Sequence, residues 1–416
     1  MSSLINSAQG TRIAIVGAGI GGLTLAAELR RRGLDPKIYE QTTELREVGA
    51  AVALSANATR FLRDRLNIGA GLAEKSADVD GLVFRDGRDG RTIGRVLSRE
   101  EYHERAGAPY YGIHRADLQQ LLKTAVGEDA IHLAKKCVRV DQSEDVAVLH
   151  FADGDTAEAD LVIGADGIRS MLRREMLGYD DAQFSGCHGW RGIVAPELLP
   201  SLPDPESIQF WMGPGGHLLH YPIGGGEQNF LLVRRHNGPW EDQPWVVPAE
   251  KNEHLRAFEG WHPAVQEMIS KAPAAERWAL FTRPPLERWN NGRITLLGDA
   301  AHGMVPHHGQ GANQSIEDAI VLADCLIEGL TDGRGWDAAR ERYQTLRVER
   351  VRKVQIASLT TADVLHLPDG PMAQARDERL GAPDAWERHL AWIHEYVADR
   401  HLTPVGALST KNVGAL

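Results

Sequence analysis

Three segments in unbroken succession near the start of the chain constrain its architecture more than any other feature. Ile13-Ala14-Ile15-Val16 is a continuous apolar run of strand length. Gly17-Ala18-Gly19-Ile20-Gly21-Gly22 follows as a glycine turn, and Leu23 to Arg32, rich in Ala, Leu, Glu and Arg, reads as a helix that stops at Gly33. Pro36-Lys37-Ile38-Tyr39-Glu40 then supplies the next strand. This is one βαβ unit, and it places the chain in the α/β class.

The spacing Gly17-x-Gly19-x-x-Gly22 has a mechanical meaning in that setting. The first glycine makes the tight turn, the second lets the backbone approach a pyrophosphate, and the third lets helix and strand pack closely. An anion then sits on the free N–H groups of the helix N-terminus. Glu40 ends the second strand, where a carboxylate can accept hydrogen bonds from an adenosine ribose. Two later strands carry related turns. Leu161-Val162-Ile163 leads into Gly164-Ala165-Asp166-Gly167, which by itself reads equally well as an ordinary Asp-Gly corner. Arg293 to Leu297 leads into Gly298-Asp299-Ala300-Ala301-His302, then Pro306, then Gly309-Gln310-Gly311-Ala312-Asn313. Asp299 can reach the hydroxyls of a ribityl chain. The helix opening at Gly311 has backbone donors to spare for the N1–C2=O edge of a flavin, where charge builds on reduction. Two distant glycine-rich loops with a third between them point to FAD.

The pieces of this site are scattered along 416 residues. Between them, prolines and tryptophans accumulate, and segments such as Gln209-Phe210-Trp211 and His217-Leu218-Leu219-His220-Tyr221 alternate like antiparallel strands. The expected fold is a Rossmann-like FAD-binding domain, an inserted antiparallel β-sheet substrate domain and a C-terminal helical region. The FAD-binding domain takes residues 11–75, 104–180 and 286–335, the substrate domain 76–103 and 181–285, and the helical region 336–416. The excess of 57 acidic over 46 basic residues, without a basic stripe, argues against nucleic acid or an anionic membrane as partner. Cys137, Cys187 and Cys325 are too few and too far apart for a disulfide framework or a zinc site, so a reducing cytoplasm and no metal are expected. Met1 to Gly10 lacks the basic and apolar regions of a secretory signal. A monomer and a homodimer are equally compatible with the sequence.

The order of the three motifs resembles the FAD-dependent aromatic hydroxylases, the single-component flavoprotein monooxygenases. The resemblance extends to Glu47-Val48-Gly49-Ala50, His114-Arg115-Ala116-Asp117-Leu118 and Trp190-Arg191-Gly192. His220-Tyr221-Pro222 before a glycine turn, and Trp392-Ile393-His394-Glu395-Tyr396, are similar to the salicylate, 3-hydroxybenzoate and 6-hydroxynicotinate hydroxylase branch. The resemblance implies that Gly17, Gly19, Gly22, Glu40, Gly49, Ala50, Arg115, Asp299, Gly309, Gly311, Ala312 and Asn313 form the FAD site. It also implies that Asp166 and Gly167 serve both FAD and the nicotinamide cofactor, and that Pro306 lies near the flavin face. The implied chemistry is reduction of FAD by NADH or NADPH, capture of O2 as a flavin C4a-hydroperoxide, and hydroxylation of a small phenolic or aromatic-acid substrate, with or without loss of a carboxylate. No second G-x-G-x-x-G follows a strand, which fits a reductant that visits transiently. Three departures cluster near the expected ring pocket: Gly303 where the family usually has proline, the pair His307-His308, and the segment Ala50-Ala51-Val52-Ala53-Leu54, with alanine where a further glycine is common.

Such chemistry asks the protein to place the ring, exclude water and remove a phenolic proton, for which histidine is suited. His220, Tyr221 and His302 are the catalytic candidates. His220 and Tyr221 alternate on one strand, so one of them is expected to face the site, the other reading being a surface histidine and a core tyrosine. His302 also reads as a helix-end histidine bonded to backbone. At most one of His307 and His308 is expected to line the cavity. Arg191 can hold a carboxylate or simply support the sheet, and Trp190, Trp211 and Trp240 can wall a pocket or fill the core. The rival functions are a same-fold oxidase or epoxidase acting on a polyketide-sized substrate and a dinucleotide sensor without turnover.

Overall fold

The computed structural model describes residues 10–45, 51–179, 182–242, 244–272 and 276–400. Its first layer is a six-stranded sheet in the order Asn290–Asn291, Ile294–Leu296, Leu161–Gly164, Ile13–Val16, Lys37–Tyr39, Ile131–His132. Every residue of Ile13–Val16 and Leu161–Gly164 is buried, as strands covered on both faces require. The register pairs Val16 with Gly164, and Gly164 with Leu296, all parallel. Three strands far apart in sequence therefore end level with one another, and the turns that leave them start side by side. Ligands of open parallel sheets bind outside these carboxyl ends.

Two helices close over that edge. Ile20–Arg31 follows the first strand and packs against Gly311–Thr331. Both have apolar faces buried in the main core, with Leu23, Leu25, Ile316 and Ile320 inaccessible to solvent. Gly335–Leu365 then runs along Gly311–Thr331.

The second layer is an eight-stranded sheet. It draws Leu82–Asp86 and Thr92–Val96 from one part of the chain and its other six strands from the span Gln183 to Thr282. Its pairings are antiparallel except for Ile208–Gly213 with Leu82–Asp86, which run parallel because a long connection separates them. The two faces are distinct. Trp190, Trp211, Leu218 and Phe258 fill a core on one side, whereas Phe84, Phe210, Leu219 and Tyr221 lie on the other. The C-terminal helices Pro371–Leu380, Ala385–His389 and Ala391–His394 fold back toward that second face, the first of them against the edge strand Thr92–Val96. No helix of the described residues is long and apolar enough to cross a membrane. No cluster of metal-ligating side chains occurs among the described residues.

Candidate active site

A cavity of about 680 Å³ lies between the carboxyl ends of the parallel sheet, the second face of the large sheet and the C-terminal helices. One end of it is built from backbone. Gly17 sits at φ +107°, and a β-carbon there would stand 2.4 Å from the carbonyl oxygen of Ala165, so the first and second glycine turns are in contact. Gly17 shapes this turn, and Gly19, Ile20, Gly21 and Gly22 line the cavity. The helix they open has no side-chain cap and no acid in its first turn. Its leading N–H groups are thus left for an anion.

Glu40 is tied into the same turn, its Oε2 accepting from Ala18 N at 2.8 Å and its Oε1 from Thr42 N at 2.9 Å. Arg115 and Gly167 line the cavity nearby. Asp166 accepts from Met171 N (2.8 Å) and Leu172 N (3.2 Å) through Oδ2, while its buried Oδ1 has no hydrogen-bond partner. Burial pushes the Asp166 carboxyl up. Glu47 to Ala50, with the expected site residues Gly49 and Ala50, lie outside the described residues.

The third turn completes this end. Asp299, Pro306, Gly309, Gly311 and Ala312 all line the cavity. The Asp299 carboxylate accepts no hydrogen bond from the described residues, and burial pushes it up in spite of His302 and Arg115 nearby. The helix Gly311–Thr331 also starts without a side-chain cap. Asn313 is held out of the cavity lining: its Oδ1 accepts from Ser55 N (3.0 Å), and its Nδ2 donates to Ala53 O (2.9 Å) and Gly309 O (2.8 Å). It braces the loop. Two uncapped helix starts, an unpartnered carboxylate and a first turn in which Gly17 and Gly22 pack too closely for β-carbons while Gly19 stays open to the cavity fit an anionic dinucleotide with a hydroxylated chain.

Beneath the third turn runs a buried network. Asp318 accepts from Gly298 N (3.1 Å) and His302 Nε2 (2.5 Å) through Oδ2, and from Arg347 Nε (2.7 Å) through Oδ1. Arg347 continues to Gln314 Oε1 (2.8 Å) and Glu317 Oε2 (2.5 Å). Burial acts to raise the Asp318 carboxyl, but His302 and Arg347 overcome it and hold the group below its ordinary value. His302 is therefore committed behind the loop and does not line the cavity. The departure at Gly303 has a local cause: a β-carbon there would lie 2.6 Å from Ile168 Cγ1.

The other end of the cavity is walled by side chains. Strand alternation separates His220 from Tyr221. Tyr221 lines the cavity. His220 is on the opposite face, where its Nε2 accepts from Trp211 Nε1 (3.1 Å) and its Nδ1 donates to Gln228 Oε1 (3.2 Å). The structure thus brings one of the three catalytic candidates to the cavity and places His220 and His302 behind its walls. Burial pushes the His220 imidazole down to about 4 and the Tyr221 phenol well above its ordinary value.

His307 and His308 both line the cavity, against the expectation of at most one. His307 is 2% exposed, and neither of its ring nitrogens has a hydrogen-bond partner. Burial, with His366 and His308 adding to it, pushes its imidazole down to about 3. Its ring stands edge-on to His217, centroids 5.4 Å apart, and His217 shares a 2.7 Å hydrogen bond with His366. Arg191 lines the same region with its guanidinium 3.6 Å from the ring centroid of Trp278. Trp190, Trp211 and Trp240 do not line the cavity, and Trp278, which sequence reasoning passed over, does. Also missed were Tyr110, Asn229, His389 and His394. Only His394 stands in a segment that carries the family resemblance, Trp392 to Tyr396, which was not read as a site, and sheet alternation would have exposed only Asn229 and Trp278 as candidates.

Residues 10–358 match the family described as an FAD binding domain. The chain is 41% identical to the 3-amino-4-hydroxybenzoate 2-monooxygenase PtmB3 of Streptomyces platensis, over 95% of this chain and 98% of that one. It is 35% identical to the 6-hydroxynicotinate 3-monooxygenase of Bordetella bronchiseptica, over 83% of this chain and 90% of that one. Among solved structures it is similar to Klebsiella pneumoniae HpxO complexed with FAD and uric acid. That match has a TM-score of 0.79 and 29% identity, and covers 89% of this chain and 93% of the other.

Proposed function

This chain belongs to the FAD-binding-domain family of aromatic hydroxylases, and we propose that its substrate is a single-ring aromatic acid with a phenolic hydroxyl, of the kind 3-amino-4-hydroxybenzoate represents. It is an FAD-dependent aromatic monooxygenase that uses NAD(P)H and O2. The observation that carries the substrate reading is one shared cavity, with cofactor loops at one end and Tyr221, His307 and Arg191 at the other. The sharing favours a single ring over a polyketide-sized molecule.

Glu40 is the acceptor for the ribose hydroxyls and Asp299 for the ribityl hydroxyls. The helix starts at Ile20 and Gly311, which carry no side-chain cap, would offer their free N–H groups to the diphosphate and to the electron-accepting edge of the ring system. Bound FAD supplies the exchange of electrons with NAD(P)H and the activation of O2. The remaining tasks belong to side chains. Tyr221, held protonated by burial, donates a hydrogen bond to a substrate oxygen. His307 is neutral at physiological pH with a free ring nitrogen, and it takes the phenolic proton. The resulting phenolate and imidazolium stabilise each other in a water-poor setting, which offsets the low basicity of the empty site. Phe210, Leu219, Met304 and Val305 exclude water. Three buried free thiols, Cys137, Cys187 and Cys325, suit a reducing cytoplasm.

The test is NADH and NADPH oxidation by the yellow holoprotein with 3-amino-4-hydroxybenzoate, 3-hydroxybenzoate and 6-hydroxynicotinate, with mass analysis of products. The expected result is stimulated oxidation and a product that has gained one oxygen. If no aromatic acid stimulates oxidation beyond the basal rate, the substrate reading fails.

A further inference from the structure

The lining of the cavity meets solvent on one side. Five of its described residues are exposed, namely Thr360, Val364, Arg379, Arg388 and Trp392. Thr360 and Val364 belong to the end of the helix Gly335–Leu365 and the other three to the C-terminal helices, and the cofactor loops contribute none. The charge of the lining is equally one-sided. Five arginines line the cavity, against one described carboxylate, Asp299, which stands at the cofactor end. In a chain of net charge −11 this runs against the average.

The arginines of the rim differ in what they already hold. Arg376 is buried and occupied, bonding Asp377 Oδ1 (2.9 and 2.7 Å) and the carbonyls of Val364 and Leu365. Arg379 folds its Nε onto Ala375 O (3.1 Å) and has no carboxylate partner among the described residues. Arg388 keeps Nε on Asp384 (2.6 Å). His389, beside it on the rim, has a buried Nε2 without a hydrogen-bond partner.

We propose that this rim is the substrate entrance and that it selects an anion, Arg379 and Arg388 drawing in the carboxylate of the aromatic acid. The inference rests on the substrate class proposed above. The reaction consumes a second anion, the nicotinamide dinucleotide, whose diphosphate presents similar chemistry. Exposed guanidiniums add little affinity each. They do accelerate encounter with an oppositely charged ligand, by roughly 10- to 1,000-fold for a focused cleft, and salt removes the effect. The signature is therefore in the association rate.

The experiment uses FAD-loaded enzyme and the variant Arg379→Gln/Arg388→Gln. Trp278 and Trp392 line the cavity, so ligand entry is followed by stopped-flow tryptophan fluorescence. The probes are 3-amino-4-hydroxybenzoate and its uncharged amide. The association rate of the acid should fall on the order of tenfold at low ionic strength, and the deficit should close near about 0.5 M salt. The amide, kcat and the KM for NADH and NADPH should be unchanged, and Arg379→Lys/Arg388→Lys should restore the wild-type rate. An equal loss for the amide, a deficit insensitive to salt, or failure of either probe to bind overturns the entrance. A defect confined to the KM for NADH or NADPH assigns the rim to the dinucleotide and overturns it as well. Salt-dependent binding of the acid without turnover keeps the entrance and removes the hydroxylase substrate. Hydroxylation of the acid with no effect of the rim variant does the reverse.

Discussion

His307 is buried against the cavity with neither ring nitrogen hydrogen-bonded, which is costly unless a ligand completes it. Replacing it tests whether that ligand is the substrate. His307→Gln should slow hydroxylation by roughly 10²- to 10⁴-fold, the scale of a lost general base. NAD(P)H should still be consumed, with hydrogen peroxide appearing in place of product. Full coupling at the wild-type rate would remove His307 from the reaction. His220 behaves differently because it is engaged on the far side of its strand. His220→Leu leaves Trp211 Nε1 buried without an acceptor, costing about 1–3 kcal/mol of stability while product formation stays coupled. Denaturant titration and a peroxide assay on this variant read the two effects separately. Glu40→Ala should weaken FAD retention by about 1–3 kcal/mol, since ribose hydroxyls and Ala18 N lose their acceptor together. Normal FAD affinity in that variant would place Glu40 outside the site.

Among elements, the decisive contact is between the turn that starts at Gly298 and the helix Gly311–Thr331 behind it. Asp318 on that helix receives Gly298 N, His302 and Arg347 together, so the helix sets the height of the loop that carries Asp299. Asp318→Asn leaves Arg347 short of a buried counter-charge. A loss of about 3–5 kcal/mol is expected, with FAD released before the fold is lost. Thermal melts followed by flavin fluorescence and by circular dichroism should then separate, and coincident transitions at wild-type temperature would show the tether to be dispensable. A second contact, of Gly303 on the same segment with Ile168 after the second turn, explains why glycine stands there. It ties the two turns together through packing, beside the hydrogen bonds by which Arg283 bridges them, from its backbone N to Gly303 O (3.0 Å) and from its Nε to Ile168 O (2.9 Å).

The whole molecule is sensitive to acid through its buried histidines. Burial pushes His188, His220 and His308 down to about 4, and His307, His366 and His394 down to about 3. Unfolded, each titrates near about 6.5. Below that value the unfolded chain binds protons that the folded chain refuses, so this stabilisation is fully present above about pH 6.5 and is lost as pH falls toward 4. The lowered carboxyls of Glu317 and Asp318 act in the same direction at lower pH, and the raised Asp299 and Asp166 oppose them. Urea midpoints of the holoprotein measured at pH 7.5, 6 and 5 should fall steeply over the last interval, with uptake of several protons per unfolding event. A midpoint independent of pH across that range would mean that these imidazoles are charged in the folded state.

The α/β class and the cofactor end were legible in the sequence because they depend on local backbone geometry. A strand, a glycine at positive φ, a close approach and an uncapped helix start are each specified within a few residues, as at Gly17 to Gly22 and Gly309 to Ala312. Parallel register then brings the three turns together without further instruction. The substrate end was not legible in that way. Whether His220 or Tyr221 faces the cavity depends on which side of the large sheet the C-terminal helices cover. That His302 is occupied and His307 is not depends on Asp318, sixteen residues beyond His302, and on helices that follow it. Trp278 and Arg379 reach the same space from segments about a hundred residues apart. Long-range packing selects these side chains, and no local pattern records it.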